Sequence, residues 1–345
     1  MARVRRWAVA AAGVAAVALL GFAARAQEPP KAEPAKPAAK AGEKEKEKIL
    51  PPEKVTLNAP DMTLTATYFP GPKGKDSVPV VLLHMFKRNR NDYDALAKYL
   101  QSLGHAVLIP DLRGHGESTT RTFAGTSETL DPQKFTKTEY ERMCKGDTWA
   151  IKEFLRKENN AGRLNLNKLC VVGAEMGAYV ALEFALYDAV GYMKGNPPGS
   201  AWYGPSIQVG RFVKVLVLIS PEWSYKGMLA NAALSKPEVG ATPMQILVGR
   251  QEKTSYADAN KISKLVEKYH KKSGTDKEAK TLDFKPLATN LQGTAMLGVK
   301  GLGVEDSIAE FIHYRLVKPE QARKYPWAQL IIPHEDDNPA PPKGK

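Results

Sequence analysis

Lys168-Leu-Cys-Val-Val-Gly-Ala-Glu-Met-Gly-Ala-Tyr-Val-Ala-Leu182 is the stretch that decides the fold. Leu169 to Val172 is a short, continuous apolar run bounded by turn residues, which predicts a buried strand and is too short for a helix. It ends in Gly173-Ala-Glu-Met-Gly177, and a pattern rich in Ala, Leu and Phe begins at once. Strand, sharp turn and helix follow one another without a spacer. Glycines stand two residues either side of the apex, Glu175, where strand and helix must crowd together and a side chain would not fit.

Outward from this unit, the chain alternates. Val55 to Ala59 and Met62 to Phe69 read as an antiparallel pair, with Gly71 to Gly74 as the turn beyond. Pro79 to His84 is a continuous apolar run, the mark of a central parallel strand. Asn91 is placed to cap a helix whose Tyr93, Leu96, Ala97 and Leu100 form one apolar face and which Gly104 ends. Ala106 to Ile109 is the next strand, and a polar loop from Thr119 to Lys137 leads to a helix over about 140–157. Beyond the quoted stretch come an aromatic, Gly/Pro-rich excursion over 191–211, strands at Val213 to Ile219 and Met244 to Val248, and a Lys-rich helix over about 256–271. A strand at Leu282 to Leu287 and a helix over 304–316 close the pattern. The expectation is an α/β fold: a mostly parallel central sheet with helices on both faces, no internal repeats and no large lid domain.

The flanks read differently. Met1 to Arg6 is basic, Trp7 to Ala23 is apolar, and Ala24-Arg-Ala26 is an A-x-A site, so residues 1–26 read as a secretory signal peptide, with an uncleaved anchor as the alternative. Removal of Arg3, Arg5, Arg6 and Arg25 takes the net charge from +13 to +9. Residues 27–50 are a Pro/Ala/Lys/Glu spacer with no apolar period, expected to be disordered, and 334–345 is a similar tail. The Glu43-Lys-Glu-Lys-Glu-Lys48 run nearly balances in charge, which disfavours a nucleic-acid arm. Residues 51–333 suit one large domain. The expected location is periplasmic or extracellular, with no membrane anchor after signal cleavage. The two cysteines, Cys144 and Cys170, exclude a disulfide framework. An oxidising compartment would permit one bridge, but a sheet-to-helix separation favours two free buried thiols.

The quoted stretch resembles the G-x-S-x-G nucleophile elbow of the α/β-hydrolase superfamily, esterase/lipase/peptidase-like branch, with Glu175 in place of the serine. The order of elements is similar over 51–333. Leu82-Leu-His-Met-Phe-Lys-Arg-Asn-Arg-Asn-Asp-Tyr93 resembles the oxyanion loop, and Asp111-Leu-Arg-Gly-His-Gly116 the family's structural D-x-R-G-H-G loop. The resemblance implies three working positions in the order serine, acid, histidine: the serine attacks, the histidine takes its proton, and the acid orients the histidine. Those positions hold Glu175, Glu252 (three residues past Gly249) and Gln292, in Leu291-Gln-Gly-Thr294 where His-Gly-Thr is usual. Met85 and Met176 take the oxyanion-hole places.

On this reading the nucleophile and the base are both replaced. An amide has no useful basicity, and glutamate is a methylene longer than the aspartate nucleophiles of dehalogenase-like and epoxide-hydrolase-like relatives. Misplacement by about 1 Å can cost roughly 100-fold. His84, His105 and His115 fall on strands or structural loops, and His313 falls on a helix. A carboxylate at a helix N-terminus is also suited to an internal plug, accepting hydrogen bonds from the hole amides and from the Gln292 NH2. The expectation is therefore an exported, catalytically inactive hydrolase-like protein acting as a binding or scaffold module. The alternative is a hydrolase of esters or amides using Glu175 in a non-serine mechanism, with Glu252 as its acid/base partner. Trp202, Tyr203, Trp223 and Tyr225 either line a pocket mouth or pack under loops. No metal-ligand spacing, dinucleotide fingerprint or phosphate loop is present, so no cofactor is expected. The expected partner is a small molecule or a protein, and not nucleic acid.

Overall fold

The computed structural model describes residues 49–123, 125–189, 211–270, 276–277 and 279–330. The expected signal peptide, residues 27–48 of the spacer, the tail, and the excursion with Trp202 and Tyr203 (apart from Arg211) lie outside the described residues.

The chain opens with β1 (Glu53–Ala59) and β2 (Met62–Phe69), paired antiparallel as their alternation predicts. On β2 the residues Met62, Leu64, Ala66 and Tyr68 face inward and the threonines between them do not. The apolar run forms β3 (Pro79–Leu83), buried throughout. Next comes α1 (Asp94–Ser102), which buries Leu96, Ala97 and Leu100. Its entry is capped by Asn89 instead of Asn91: the Asn89 side chain accepts from the Asn91 amide at 3.0 Å, because a 3-10 turn over Arg90–Tyr93 precedes the helix. After β4 (Ala106–Pro110), the segment read as loop holds a hairpin, β5 (Thr120–Phe123) and β6 (Thr126–Thr129), joined to β2 through Met62 and Arg121. β6 is wholly exposed, so there was no apolar alternation to reveal it.

The helix expected over 140–157 is split into α2 (Lys137–Arg142), a π-helical turn over Met143–Asp147 and α3 (Thr148–Asn160). The quoted stretch forms β7 (Leu169–Ala174) and α4 (Met176–Ala189). Then come β8 (Val213–Ile219), the small hairpin β9 (Ser224–Tyr225) and β10 (Met228–Leu229), and two single-turn helices, α5 (Asn231–Leu234) and α6 (Pro237–Gly240). Residues 220–243 thus hold no large lid. The chain closes with β11 (Met244–Gly249), α7 (Lys253–Val266), β12 (Leu282–Leu287), α8 (Val304–Ile312) and α9 (Pro319–Ala322).

The sheet order is β12-β11-β8-β7-β3-β4-β2, with β1 and the β5–β6 hairpin both attached to β2. From β4 through β12 all neighbours are parallel, and only β2 runs antiparallel to β4. Alternate residues of β7 feed two cores. Leu169 and Val171 pack with α3, α4 and α7, while Cys170, Val172 and Ala174 pack with α1 and α8. Helices therefore cover both faces, as expected. β3 is followed by β4 on one side and adjoined by β7 on the other, so the chain reverses direction across the sheet at β3. Ligand crevices in open α/β sheets form at the carboxyl ends of strands at such a switch point. Both cysteines are buried and free, and burial pushes both thiols up, well out of the reactive range.

The Asp111-to-Gly116 loop is structural, and it carries a buried charge network. Asp111 accepts from the amides of Arg90 and Glu117, each at 2.8 Å. Arg113 is fully buried; its guanidinium meets Asp147 at 2.6 Å, Asp61 at 3.0 Å and Glu139 at 3.5 Å. The π turn after α2 brings Asp147 to that position. Losing one partner of a buried pair strands the others, at a cost of about 3–5 kcal/mol. Arg113→Ala should therefore lower unfolding free energy by roughly that amount in urea denaturation. A loss below about 1 kcal/mol, as for an exposed pair, would contradict the network's role.

Candidate functional site

β7, α4 and the segments after β3, β8 and β12 converge on Glu175. Its backbone has φ +47°, a left-handed conformation costly for a residue with a side chain. Two neighbours hold it there: its amide donates to the Ile219 carbonyl at 3.0 Å, and its own carbonyl accepts from Ala178 at 2.9 Å as α4 begins. The glycines behave as the spacing demands. A Cβ on Gly173 would come 2.1 Å from the Gly177 carbonyl oxygen, and one on Gly177 would come 2.1 Å from that of Leu83. The Met176 amide lies in the first turn of α4, where amides lack intrahelical acceptors. Met85, in the other oxyanion-hole place, turns its thioether to the hydroxyl of Thr294 at 3.2 Å, and that hydroxyl also donates to Asp92 at 2.8 Å.

The Glu175 carboxyl reaches the backbone of Gly293: a Cβ there would lie 2.9 Å from Glu175 Oε1. Elbow and 292–293 loop are thus brought together, as the resemblance implies, but their side chains do not interact as a plug. No described residue donates a hydrogen bond to the Glu175 carboxyl, and burial alone holds its pKa above the ordinary range. The expected donor is engaged elsewhere. Gln292 Nε2 donates to the Gly249 carbonyl at 3.1 Å, and Gln292 Oε1 accepts from the Ser220 hydroxyl at 2.6 Å. A carbonyl can only accept, which fixes the amide's orientation. The Ser220 hydroxyl in turn accepts from the Gly293 amide at 2.9 Å. Ser220, itself at φ +49° and buried, clips the end of β8 to this loop.

Glu252 does not join the site. Its carboxylate caps α7, accepting from the amides of Ser255 at 2.6 Å and Thr254 at 3.1 Å. Those amides hold its pKa below the ordinary range. The acid expected from counting residues past β11 is a helix cap.

A second carboxyl, passed over in the sequence, lies within electrostatic range of Glu175. Glu222 follows β8 in the Ser220-Pro-Glu222-Trp223 loop, which the Trp223 amide anchors to Asp258 at 3.0 Å. Burial pushes the Glu222 carboxyl up to about 7, with the like charges of Glu175 and Asp258 adding and Lys226 opposing. The only available signal was its place one turn beyond a central strand. Tyr225 packs edge-on to Tyr140 at 5.1 Å and is buried, so it is a packing residue rather than a pocket wall; Trp223 is half-buried, with Lys261 Nζ 3.8 Å from its ring centroid.

Among the described residues, the histidines supply no base. His84 is buried; its Nε2 accepts from the Leu112 amide at 3.0 Å, so Nδ1 carries the proton to the Met85 carbonyl at 2.8 Å. Burial and the neighbouring His115 lower its pKa to about 4. His115 Nδ1 donates to the Arg113 carbonyl at 2.9 Å, and burial followed by Lys73 lowers His105 to about 4. His270 bridges Gly240 and Thr281, and His313 is exposed on the turn after α8. Among the described residues no cluster of three or more His, Cys, Asp or Glu is arranged to hold a metal ion, and no helix is long and apolar enough to cross a membrane.

Residues 78–191 match the family model of the alpha/beta hydrolase fold. No curated protein matches the chain by sequence. Among solved structures, an esterase of Pyrococcus furiosus is similar at 14% identity and a TM-score of 0.52, covering 76% of this chain and 90% of its own. A hyperthermophilic esterase of the archaeon Pyrobaculum calidifontis is similar at 13% identity and a TM-score of 0.51, covering 81% of this chain and 88% of its own. Sheet order, elbow and these likenesses agree: the chain is an α/β-hydrolase-fold protein.

Proposed function

We propose that this is an exported α/β-hydrolase-fold protein that does not catalyse acyl transfer and is retained as a binding or scaffold module for a small molecule or a protein. The observation that carries the reading is Gln292. It holds the place of the general base, yet its amide is non-basic and both its ends are taken up by Gly249 and Ser220. Burial also raises the Glu175 pKa above the ordinary carboxylate range. Loss of serine or histidine in a serine protease costs on the order of a million-fold in kcat, and this site lacks both. The signal-like N-terminus supports export.

One observation favours a second reading. Glu175 and Glu222 are two half-buried carboxyls whose charges oppose one another, and one of them titrates near neutrality. Such a pair can act as acid and base when its members titrate apart. On this reading Glu222, not Glu252, partners Glu175.

A panel of short and medium acyl esters, assayed with the mature chain beside Glu175→Gln, separates the readings. No turnover by either protein is the expected outcome. Turnover abolished by Glu175→Gln would establish an enzyme, and loss in Glu222→Gln as well would establish the pair.

The Glu222 carboxyl also makes a stability prediction. Its folded value of about 7 lies above its ordinary 4.5. Its contribution is therefore fully present below the ordinary value and is lost as pH rises through about 7. The wild-type chain should lose stability between pH 5.5 and pH 8 relative to Glu222→Gln. Parallel denaturation curves at the two pH values would contradict the burial and charge coupling assigned to this residue.

A further inference from the structure

The outer face of α7 is a stripe of lysines. The helix turns Ala259, Ile262, Ser263 and Val266 to the core. At about 3.6 residues per turn, Lys253, Lys261 and Lys264 share the opposite side, and Lys268 follows on the 3-10 turn over Glu267–Tyr269. All four are exposed. Lys261 and Lys264 stand three residues apart, and Lys264 and Lys268 four apart, spacings at which like charges destabilise a helix. The neighbouring acids do not neutralise them. Glu252 is taken up as the helix cap, and Asp258 accepts from the Trp223 amide at 3.0 Å. That leaves Glu267 against four lysines, none of which forms an ion pair among the described residues. Lys236 enlarges the patch at its far end. The Tyr269 hydroxyl donates to the Ser235 carbonyl at 2.9 Å, which brings exposed Lys236 to the same end of the helix as Lys268.

A run of unpaired ammonium groups on a rigid helix selects a polyanion, and the chemistry around the stripe narrows the class. Trp223 and Tyr269 lie beside it, but its own lysines cover their rings: Lys261 Nζ is 3.8 Å from the Trp223 centroid and Lys268 Nζ 4.8 Å from that of Tyr269. Those faces are therefore not open for a nucleotide base or a sugar to stack on. Among the described residues the large apolar side chains left exposed are Ile49, Leu50, Leu103 and Leu229. None is on α7, so the helix has nothing to insert into a lipid surface. Lysine also presents a point charge instead of the forked donor that matches phosphate, which suits single carboxylates at irregular spacing. From Lys253 to Lys268 the stripe runs about 22 Å at about 1.5 Å per residue, the reach of about seven residues of extended chain.

We propose that the lysine face of α7 is a docking surface for an acidic, extended segment of a partner protein, a run of aspartate or glutamate residues. This names a partner class for the binding-module reading and uses none of the elbow residues, so an active elbow would leave it standing and an inert one would not establish it. Attraction of this kind steers encounter and weakens as salt rises.

The test is fluorescence anisotropy of a labelled polyglutamate peptide of about eight residues. It is titrated with the mature chain at about 10 mM salt, where the Debye length is about 30 Å. Saturable binding is expected. Lys261→Gln, Lys264→Gln and Lys268→Gln combined should weaken it about tenfold or more, the sum of three exposed charge contacts. Lys98→Gln, Lys300→Gln and Lys324→Gln combined remove the same charge from exposed positions elsewhere and should change affinity by less than about twofold. Absence of saturable binding, or equal loss in both triple variants, would overturn the proposal: the first leaves only a solvated face and the second only net charge. Tighter binding of a polyuronate or of a single-stranded oligonucleotide with the same number of charges would overturn the choice of partner.

Discussion

Two backbone approaches govern this molecule: Gly177 against the Leu83 carbonyl, and Gly173 against Gly177 itself. They press the start of α4 onto the ends of β7 and β3 so closely that neither glycine can carry a Cβ. That contact forces the intervening residue into a left-handed conformation and presents it at the switch point of the sheet. The parallel sheet, the two cores on its faces and the Ser220 clip all support that one turn. Strain of about 1–3 kcal/mol persists in a fold only when its surroundings over-determine it, and here they do.

On the proposed reading, the chemistry at the apex is not that of an acyl-transfer enzyme. A serine at this position needs a basic partner across the pocket, and the partner position holds an amide locked between a carbonyl and a hydroxyl. Glu252, reached by counting to the acid position, caps α7. What remains at the centre is a carboxyl with no hydrogen-bond donor among the described residues, and a second carboxyl, Glu222, raised by burial and by the like charge of Glu175. On that reading architecture and reactivity have come apart: the scaffold that positions a reactive group is kept, and the groups the resemblance implies for nucleophile and base are replaced by Glu175 and Gln292.

The sheet was legible because its strands are short, continuous apolar runs, and the elbow because only glycine satisfies its spacing. Counting along the chain also located Glu252 and Gln292, but counting does not reveal where a side chain points. Glu252 turns to the amides of its own helix, and Gln292 turns away from Glu175. Glu222 was not legible because its shift depends on burial after β8 and on the charge of Glu175, 47 positions earlier, with no local pattern to mark it. The π turn at Met143–Asp147 and the β5–β6 hairpin were hidden for related reasons. The first serves the buried Arg113 and the second has no apolar face.

The central claim is that the elbow presents a residue that does not react. A carboxylate nucleophile lacking a base to release its product would stall as a covalent ester. Intact-mass measurement after incubation with an alkyl halide or epoxide, followed by peptide mapping, therefore tests the claim most directly. The account predicts an unmodified chain at position 175. An alkyl ester on Glu175, with halide expelled or the epoxide opened, would contradict it and make the elbow a working nucleophile.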